Sequence, residues 1–485
     1  MKKFLNKIDY RPEIDFLRAI SVSAVIIYHS QVNILGYKFL QGGYLGVDIF
    51  FVISGYLITS IIFKELKNKK TFSYSNFYLK RARRILPALF IIILSCLPFS
   101  YLYLMPTSLI DFARSILFSL GFSSNFYFYF TGLEYGAVSG LLKPLLHTWS
   151  LGVEEQFYII FPLIFVSGFF LFKKNLKNYI LVMFFLSLFF SEFFSNKNPN
   201  LNFYFPVSRF WELLAGSLIV FYEENRKLKV SNNLSNLMCF LGLMLIILSF
   251  FYFFEPIPNP NLKSLLPIMG VTLIILFAKK GSFLTKIFSI KPFVGIGLIS
   301  YSLYLWHYPI FAFAKLQSQN PISSFENILL IFLTLLMSLI SWKIIEGPFR
   351  NKKIISKKIL FFTFFIFTSI LILASFLSMK FLPNLYFNTL NDKEKYNFKL
   401  IEKHTVYDYE KAIIDNSECH FNSINLDNIF FKRYSECEKK YKKAVIILGD
   451  SHGINLYNII TKSLDKKFIV GFTQVGCRPH NGKRE

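Results

Sequence analysis

Two ionisable residues, Arg18 and His29, stand inside the first apolar run of this 485-residue chain, residues 14–33. Charged or titratable side chains in a membrane span are costly and mark function. Their separation of eleven residues is about three helical turns, which puts both on one face, with Cα atoms roughly 16 Å apart along the axis. They cannot act on the same atom. One helix face thus offers a cation at one depth and a titratable base at another.

Three more arginines, Arg81, Arg83 and Arg84, lie in Lys80-Arg-Ala-Arg-Arg-Ile-Leu-Pro87 at the mouth of the third apolar run. Together with Arg18 they would make a polyanion site, because guanidinium groups offer bidentate hydrogen bonds to phosphates. The plainer reading of these three is a cytoplasmic anchor. Asp48 lies near the start of the second run, Glu154 and Glu155 near the start of the fourth, and His307 in the ninth. Asp48 is expected at the depth of His29, where a carboxylate would hold the imidazole in one tautomer and raise its basicity. Helix-packing hydrogen bonds are the plainer reading of each of these residues. A phosphate site inside and a base outside predict transfer from a phosphate-bearing donor to an outer acceptor. The arm of coenzyme A suits the ~16 Å gap set by helix rise. On this reading the arginines hold its phosphates, and His29 deprotonates the acceptor hydroxyl or briefly carries the acyl group.

The elements that must position these residues are membrane helices. A chain that is 53% hydrophobic and 19% aromatic, with mean hydropathy +0.44, is too apolar for a soluble protein of this size. Spans are predicted at 14–33, 44–63, 85–104, 151–172, 179–195, 207–222, 236–254, 265–278, 294–314 and 326–345, with an eleventh at 359–378. The fold class is an α-helical polytopic bundle of ten spans plus one, followed by a partial α/β domain. The net charge of +25 would indicate nucleic acid in a soluble domain, but its distribution decides otherwise. One set of alternate connections carries 28 Lys and Arg and the other set six. The positive-inside rule therefore places the N-terminus in the cytoplasm, and no nucleic-acid partner is expected. The first run lacks a small-residue cleavage site and is expected to remain as a helix. Residues 109–130 are apolar but broken by Asp111, Arg114, Gly121 and Ser123-Ser124-Asn125, which predicts a re-entrant or surface helix on the outer side. No His or Cys spacing indicates a metal site.

In order along the chain, these residues resemble the acyltransferase-3 family of membrane O-acyltransferases over about residues 10–350. The resemblance rests on Arg18-x10-His29, on Gly-Val-Asp-Ile-Phe-Phe-Val-Ile-Ser-Gly-Tyr-Leu from Gly46, and on Arg81-Ala-Arg-Arg-Ile-Leu-Pro. Trp149-Ser-Leu-Gly-Val-Glu-Glu-Gln-Phe-Tyr, Tyr304-Leu-Trp-His and Glu346-Gly-Pro-Phe-Arg350 complete it. It implies transfer of an acyl group, commonly acetyl from acetyl-CoA, to hydroxyls of lipopolysaccharide O-antigen, peptidoglycan or exopolysaccharide. It also implies that Arg18 and His29 are the essential pair. Acyl-CoA is thus the expected donor substrate, with no permanently bound cofactor; the expected partners are a cell-surface glycan and the lipid bilayer. The expected location is the bacterial inner membrane. Acylation of a small molecule or lipid intermediate is the enzymatic alternative. A proton-coupled transporter using His29, Asp48 and Glu154 is the alternative of another class, and the chain shows none of the internal repeats common in transporters.

The C-terminal part looks like the SGNH hydrolase-type domain often fused to this family. Lys443-Ala-Val-Ile-Ile-Leu-Gly-Asp-Ser-His-Gly453 predicts a buried strand and a tight turn, with a helix over 454–464, a geometry that exposes the Ser451 hydroxyl. Gly449 and Gly453 would allow the close approach there. The later Asp-x-x-His pair of that fold has no counterpart in the 33 residues after His452, where His480 stands alone. The domain is therefore expected to be truncated and without a complete triad. An oxidising compartment makes a Cys419–Cys437 disulfide plausible, with Cys477 left over or paired elsewhere. The resulting division is 1–350 for the acyltransferase membrane domain, 351–380 for the linker with the eleventh helix, and 381–485 for the partial SGNH-like domain outside. The expected catalytic residues are His29, Asp48, Glu154 and Ser451; the expected donor-binding residues are Arg18, Arg81, Arg83 and Arg84.

Overall fold

A computed structural model describes residues 10–34, 37–133, 138–225, 230–253, 258–318, 320–405, 419–423, 426–463 and 468–473. The chain divides into two units, Met1–Leu385 and Tyr386–Glu485. Helices of the first unit begin with α1 (Pro12–Ser30), α2 (Gly46–Lys69), α3 (Tyr74–Tyr103), α4 (Pro106–Leu120), α5 (Ser124–Gly132) and α6 (Thr148–Phe172). They continue with α7 (Leu176–Lys197), α8 (Pro199–Tyr204), α9 (Pro206–Asn225), α10 (Asn232–Tyr252), α11 (Leu265–Phe277) and α12 (Phe283–Phe288). Then come α13 (Lys291–Leu298), α14 (Ser300–Gln317), α15 (Ser324–Ser341), α16 (Gly347–Arg350) and α17 (Lys357–Thr389), which runs past the boundary between the units.

Seven of the predicted spans fall on helices long and apolar enough to cross a membrane, those at 41–69, 74–103, 148–172, 176–197, 232–252, 324–350 and 357–381. The chain is an integral membrane protein. The other four predicted spans also fall on helices, but of a different kind. Helices α1 and α9 carry charged side chains in their interior, and α11 has 13 residues, which rise only ~20 Å against a hydrocarbon core of ~30 Å. The run at 294–314 is two helices, α13 and α14, divided at Ile299. Residues 109–130 likewise break into α4 and α5 at a turn where Phe122 takes a left-handed φ of 51°. Neither piece is long enough to cross by itself.

Helix ends follow from local chemistry. Helix α1 opens on Pro12, with Glu13 and Asp15 in its first turn, where negative charge suits the positive end of the helix dipole. Helix α15 starts in a capping box between Ser323 and Glu326. The pair α2 and α9 sets the centre of the bundle. Their backbones touch: a Cβ added at Gly55 would lie 1.8 Å from the Leu213 carbonyl oxygen, and one at Gly216 would lie 2.0 Å from that of Val52. The two helices run parallel, because Asp48 meets Arg209 at one end and Thr59 meets Ser217 further along. Parallel packing of the second and sixth predicted spans agrees with the predicted alternation, in which both cross in the same direction.

The second unit carries a parallel sheet of β3 (His420–Asn422), β4 (Val445–Gly449) and β5 (Ile469–Thr473) in the order β3-β5-β4, separate from a short hairpin of β1 (Asn33–Ile34) and β2 (Tyr37–Lys38) in the first unit. Its helices are α18 (Asp392–Thr405), α19 (Asn428–Tyr441) and α20 (Ser451–Ser463). Phe421, Phe430, Phe468 and Val470 form its core, beside a Cys419–Cys437 disulfide. Cys477 and His480 lie outside the described residues. The strand expected before Ser451 is β4, but it is buried only at Ile447, with Ile446 and Leu448 exposed; a Cβ on Gly449 would come within 2.8 Å of Gly453 Cα. The helix after it begins at Ser451, three residues earlier than its sequence pattern predicts. Asp450 supplies the reason, since its carbonyl takes the first helical hydrogen bond, from the Ile454 N–H at 3.1 Å.

Candidate functional site in the helical bundle

Among the described residues of the first unit, the residues singled out from sequence divide between two cavities. The smaller, of about 80 Å³, is lined by Arg18 of α1, Arg81 and Arg84 of α3, Ser54 of α2, Glu154 and Tyr158 of α6, and Tyr301 of α14. Arg18 is paired with Asp15 one turn away, at 3.2 Å. Arg81 lays its guanidinium over the Tyr158 ring, 4.9 Å from the centroid. Ser54 and Tyr158 both donate hydrogen bonds to the Glu154 carboxylate. Three cations and one satisfied carboxylate therefore face a narrow space.

Two expectations change here. Arg83 is buried away from this cavity and donates to the Phe349 carbonyl at 3.0 Å. Helical spacing explains this, because Arg81 and Arg84 are three apart and share a face, whereas Arg83 points elsewhere. Glu154 joins the arginines and not His29. Helix α6 begins at Thr148, so Glu154 lies about 9 Å into the helix at 1.5 Å per residue, deeper than a place near the start of the predicted span implies.

The larger cavity, of about 670 Å³, is lined by His29, Asp48, His147, Arg209 and Asn259 among aromatic walls that include Trp149, Tyr204 and Tyr308. His29 Nδ1 lies 3.0 Å from the Val25 carbonyl and 3.3 Å from His307 Nε2. Tyr308 stacks on the His147 ring with centroids 5.4 Å apart and meets His29 edge-on at 5.0 Å. Val47 and Tyr304 line both cavities, so they form the wall between them. The Tyr304 hydroxyl is fixed by Ser150 at 2.5 Å and by the His147 carbonyl at 3.0 Å.

Asp48 shares the cavity with His29, but its carboxylate is engaged elsewhere. One oxygen accepts from Arg209 at 3.0 Å and the other from Asn259 at 3.4 Å. The expectation that Asp48 orients His29 gives way to the backbone carbonyl of Val25 and the ring of His307. Arg209 is fully buried, and besides Asp48 it binds Glu212 at 3.1 Å and the Phe203 carbonyl at 3.1 Å. A buried carboxylate attracts the nearest cation strongly, and Arg209 on the touching helix α9 is that cation. Sequence reasoning missed Arg209 and Glu212, although an ionic pair inside the apolar run 207–222 is the same kind of signal that singled out Arg18. His147 lies two residues before the Trp149-Ser-Leu-Gly motif. Ser451 is the first residue of α20 in the second unit. Among the described residues, no group of three or more His, Cys, Asp or Glu side chains is placed to hold a metal ion.

Comparison with known proteins places these residues in a family context. Residues 11–346 match the family model described as an acyltransferase domain, acyltransferase family 3. The peptidoglycan O-acetyltransferase OatA of Listeria monocytogenes is 32% identical over 361 residues, which cover 72% of this chain and 57% of that protein. The O-acetyltransferase OatA of Staphylococcus aureus is 33% identical over 361 residues, covering 71% of this chain and 58% of that protein. The chain thus spans a little over half the length of these curated relatives. No solved structure matches. Both cavities lie within the matched residues.

Proposed function

The chain belongs to acyltransferase family 3, and from that premise we propose that it is a membrane O-acetyltransferase. It takes an acyl group from cytoplasmic acyl-CoA, with acetyl-CoA as the donor, and passes it across the membrane to a hydroxyl of a cell-surface glycan. The observation that carries this reading is the pairing of a cationic cavity around Arg18 with a histidine cavity around His29 across a shared wall of Val47 and Tyr304. The concentration of Lys and Arg on one set of connections supports a cytoplasmic N-terminus, and in this reading the bundle lies in the plasma membrane, where a cytoplasmic donor and an outer glycan meet.

Arg18, Arg81 and Arg84 bind the donor phosphates by charge-assisted hydrogen bonds. Glu154, held by Ser54 and Tyr158, fixes the far wall of that site. The donor arm extends past Val47 and Tyr304 to bring the thioester carbonyl to His29. There His29 takes the proton of the acceptor hydroxyl as its oxygen attacks the carbonyl carbon. The C–S bond breaks, the thiolate leaves, and His29 returns the proton to it, so that ester and free thiol are the products. Asp48 is engaged with Arg209 in the wall of the same cavity, and His29 serves as the base. The relatives are named as peptidoglycan O-acetyltransferases, which favours peptidoglycan among the surface glycans.

Residues 1–350 form the transfer domain in this reading, 351–380 lead out through the last helix, and 381–485 form an extracytoplasmic SGNH-like module. In that module Ser451, at the β4–α20 turn, receives the group or positions the acceptor. Mass spectrometry of envelope glycans from cells with and without the gene tests the reading. Ester-linked acetyl groups are expected only where the gene is present; an identical acetylation pattern in both would refute it.

A further inference from the structure

The tautomer of His29 is set by groups that cannot touch the substrate. His307 is fully buried on α14 and lines neither cavity. Its Nδ1 lies 2.5 Å from the Tyr304 carbonyl oxygen. A carbonyl can only accept, so Nδ1 of His307 carries the hydrogen, and Nε2 of the neutral ring presents a lone pair. That Nε2 faces His29 Nδ1 at 3.3 Å, and the same His29 Nδ1 lies 3.0 Å from the Val25 carbonyl. Both of its neighbours accept, so Nδ1 of His29 is the protonated nitrogen. The lone pair of His29 is then on Nε2. A chain of two carbonyls and two rings therefore leaves one nitrogen of His29 free to take a proton.

From this geometry we propose that His307 is the positioning residue of His29, filling with a neutral imidazole the place a carboxylate takes in a hydrolase triad. The inference rests on His29 being the base of the transfer reaction. When Nε2 of His29 takes the acceptor's proton, the ring becomes an imidazolium with hydrogens on both nitrogens. Its Nδ1–H then points at the lone pair of His307 Nε2, and that hydrogen bond becomes charge-assisted and stronger. The proton returns from Nε2 of His29 to the departing thiolate, and the pair ends neutral as it began. Val25 alone would fix the ring angle. His307 adds a second acceptor whose dipole is aimed at the charge that develops.

Asp48 cannot serve this purpose, because both of its oxygens are engaged with Arg209 and Asn259. A neutral partner also avoids burying a further carboxylate, which would be costly without a cation of its own. The neighbouring rings hold His307 in place: Tyr304 lies 5.3 Å and His147 5.8 Å from it, centroid to centroid.

The test uses permeabilised cells that make the full chain and are fed radiolabelled acetyl-CoA, with ester-linked label on envelope glycan followed over a range of donor concentrations. Rates are normalised to the amount of protein in the membrane. His307→Leu removes the acceptor and is expected to lower the maximal rate by roughly a hundredfold or more, the usual scale of acid–base assistance, with KM for the donor unchanged. His307→Gln places an amide oxygen near the position of Nε2 and should recover to within about tenfold of wild type on the same scale. His307→Asn, whose oxygen falls short of that position, should resemble the leucine variant. A leucine variant at wild-type rate overturns the proposal, as does a glutamine variant no faster than leucine. His29→Ala separates the two levels: full activity there refutes the reading of the site itself. A dead His29→Ala beside a fully active His307→Leu refutes only the role of His307.

Discussion

Around Arg18 the bundle leaves about 80 Å³ lined by three guanidinium groups, whereas around His29 it leaves about 670 Å³ walled by imidazoles and aromatic rings. In the first cavity the cations face the space directly, with Glu154 in the lining and Asp15 paired to Arg18 behind it. In the second, the strong charges are turned on each other, with Asp48 and Glu212 both bound to Arg209. On the proposed reading, the difference separates recognition from reaction. A narrow cationic cavity can hold a charged phosphate but has little room for an acceptor. A wide one walled by imidazoles and aromatic rings can admit a hydroxyl-bearing ring to His29. Among the described residues, the two meet at Val47 and Tyr304.

Removing the base should break this comparison most severely. His29→Ala is expected to lower transfer by roughly a thousandfold, within the range of acid–base catalysis, while leaving donor binding to the purified protein unchanged. Loss of binding in that variant would mean that the two cavities are not independent. Next in size is Arg209→Ala, which leaves Asp48 and Glu212 buried without their cation. A cost of about 3–5 kcal/mol is expected for breaking such a pair, read as a lower midpoint in thermal unfolding of the detergent-solubilised protein. An unchanged midpoint would show that the ionic group does not hold α2 against α9.

The cationic cavity gives a smaller and different effect. Arg84→Ala should raise KM for acetyl-CoA about tenfold, the loss of one charge-assisted contact of ~1.4 kcal/mol, with the maximal rate preserved. Arg83→Ala should leave KM unchanged, because Arg83 is bonded to Phe349 outside the cavity; equal effects of the two variants would contradict the division of the arginines. The smallest effect on the comparison is expected from Cys437→Ser. Its disulfide closes a loop of 18 residues, worth about 3 kcal/mol to the second unit, and donor binding by the bundle should not change. Limited proteolysis of the full chain checks both parts.

Much of this is legible in the sequence, because costly residues announce themselves. An arginine and a histidine in one apolar run point to both cavities, and their eleven-residue spacing already sets them apart. The helices are legible wherever apolar length is sufficient, and the Cys419–Cys437 pairing is expected from the compartment. Which neighbour each polar group chooses is not written in the pattern. Depth alone would assign Asp48 to His29, yet the glycines at 55 and 216 let α2 and α9 touch and deliver Arg209 to it. An error of less than two helical turns in the depth of Glu154 is enough to move it between cavities. The role of His307 depends on hydrogen bonds to two backbone carbonyls, and no spacing rule carries that information.

The most direct measurement of the central claim compares membranes carrying wild-type, Arg18→Ala and His29→Ala protein, each supplied with radiolabelled acetyl-CoA up to saturating concentration. The division between cavities predicts that label reaches the glycan with wild type, that Arg18→Ala approaches the wild-type rate as donor rises, and that His29→Ala stays dark at every concentration. Equal labelling by all three, or recovery of His29→Ala by excess donor, would contradict it.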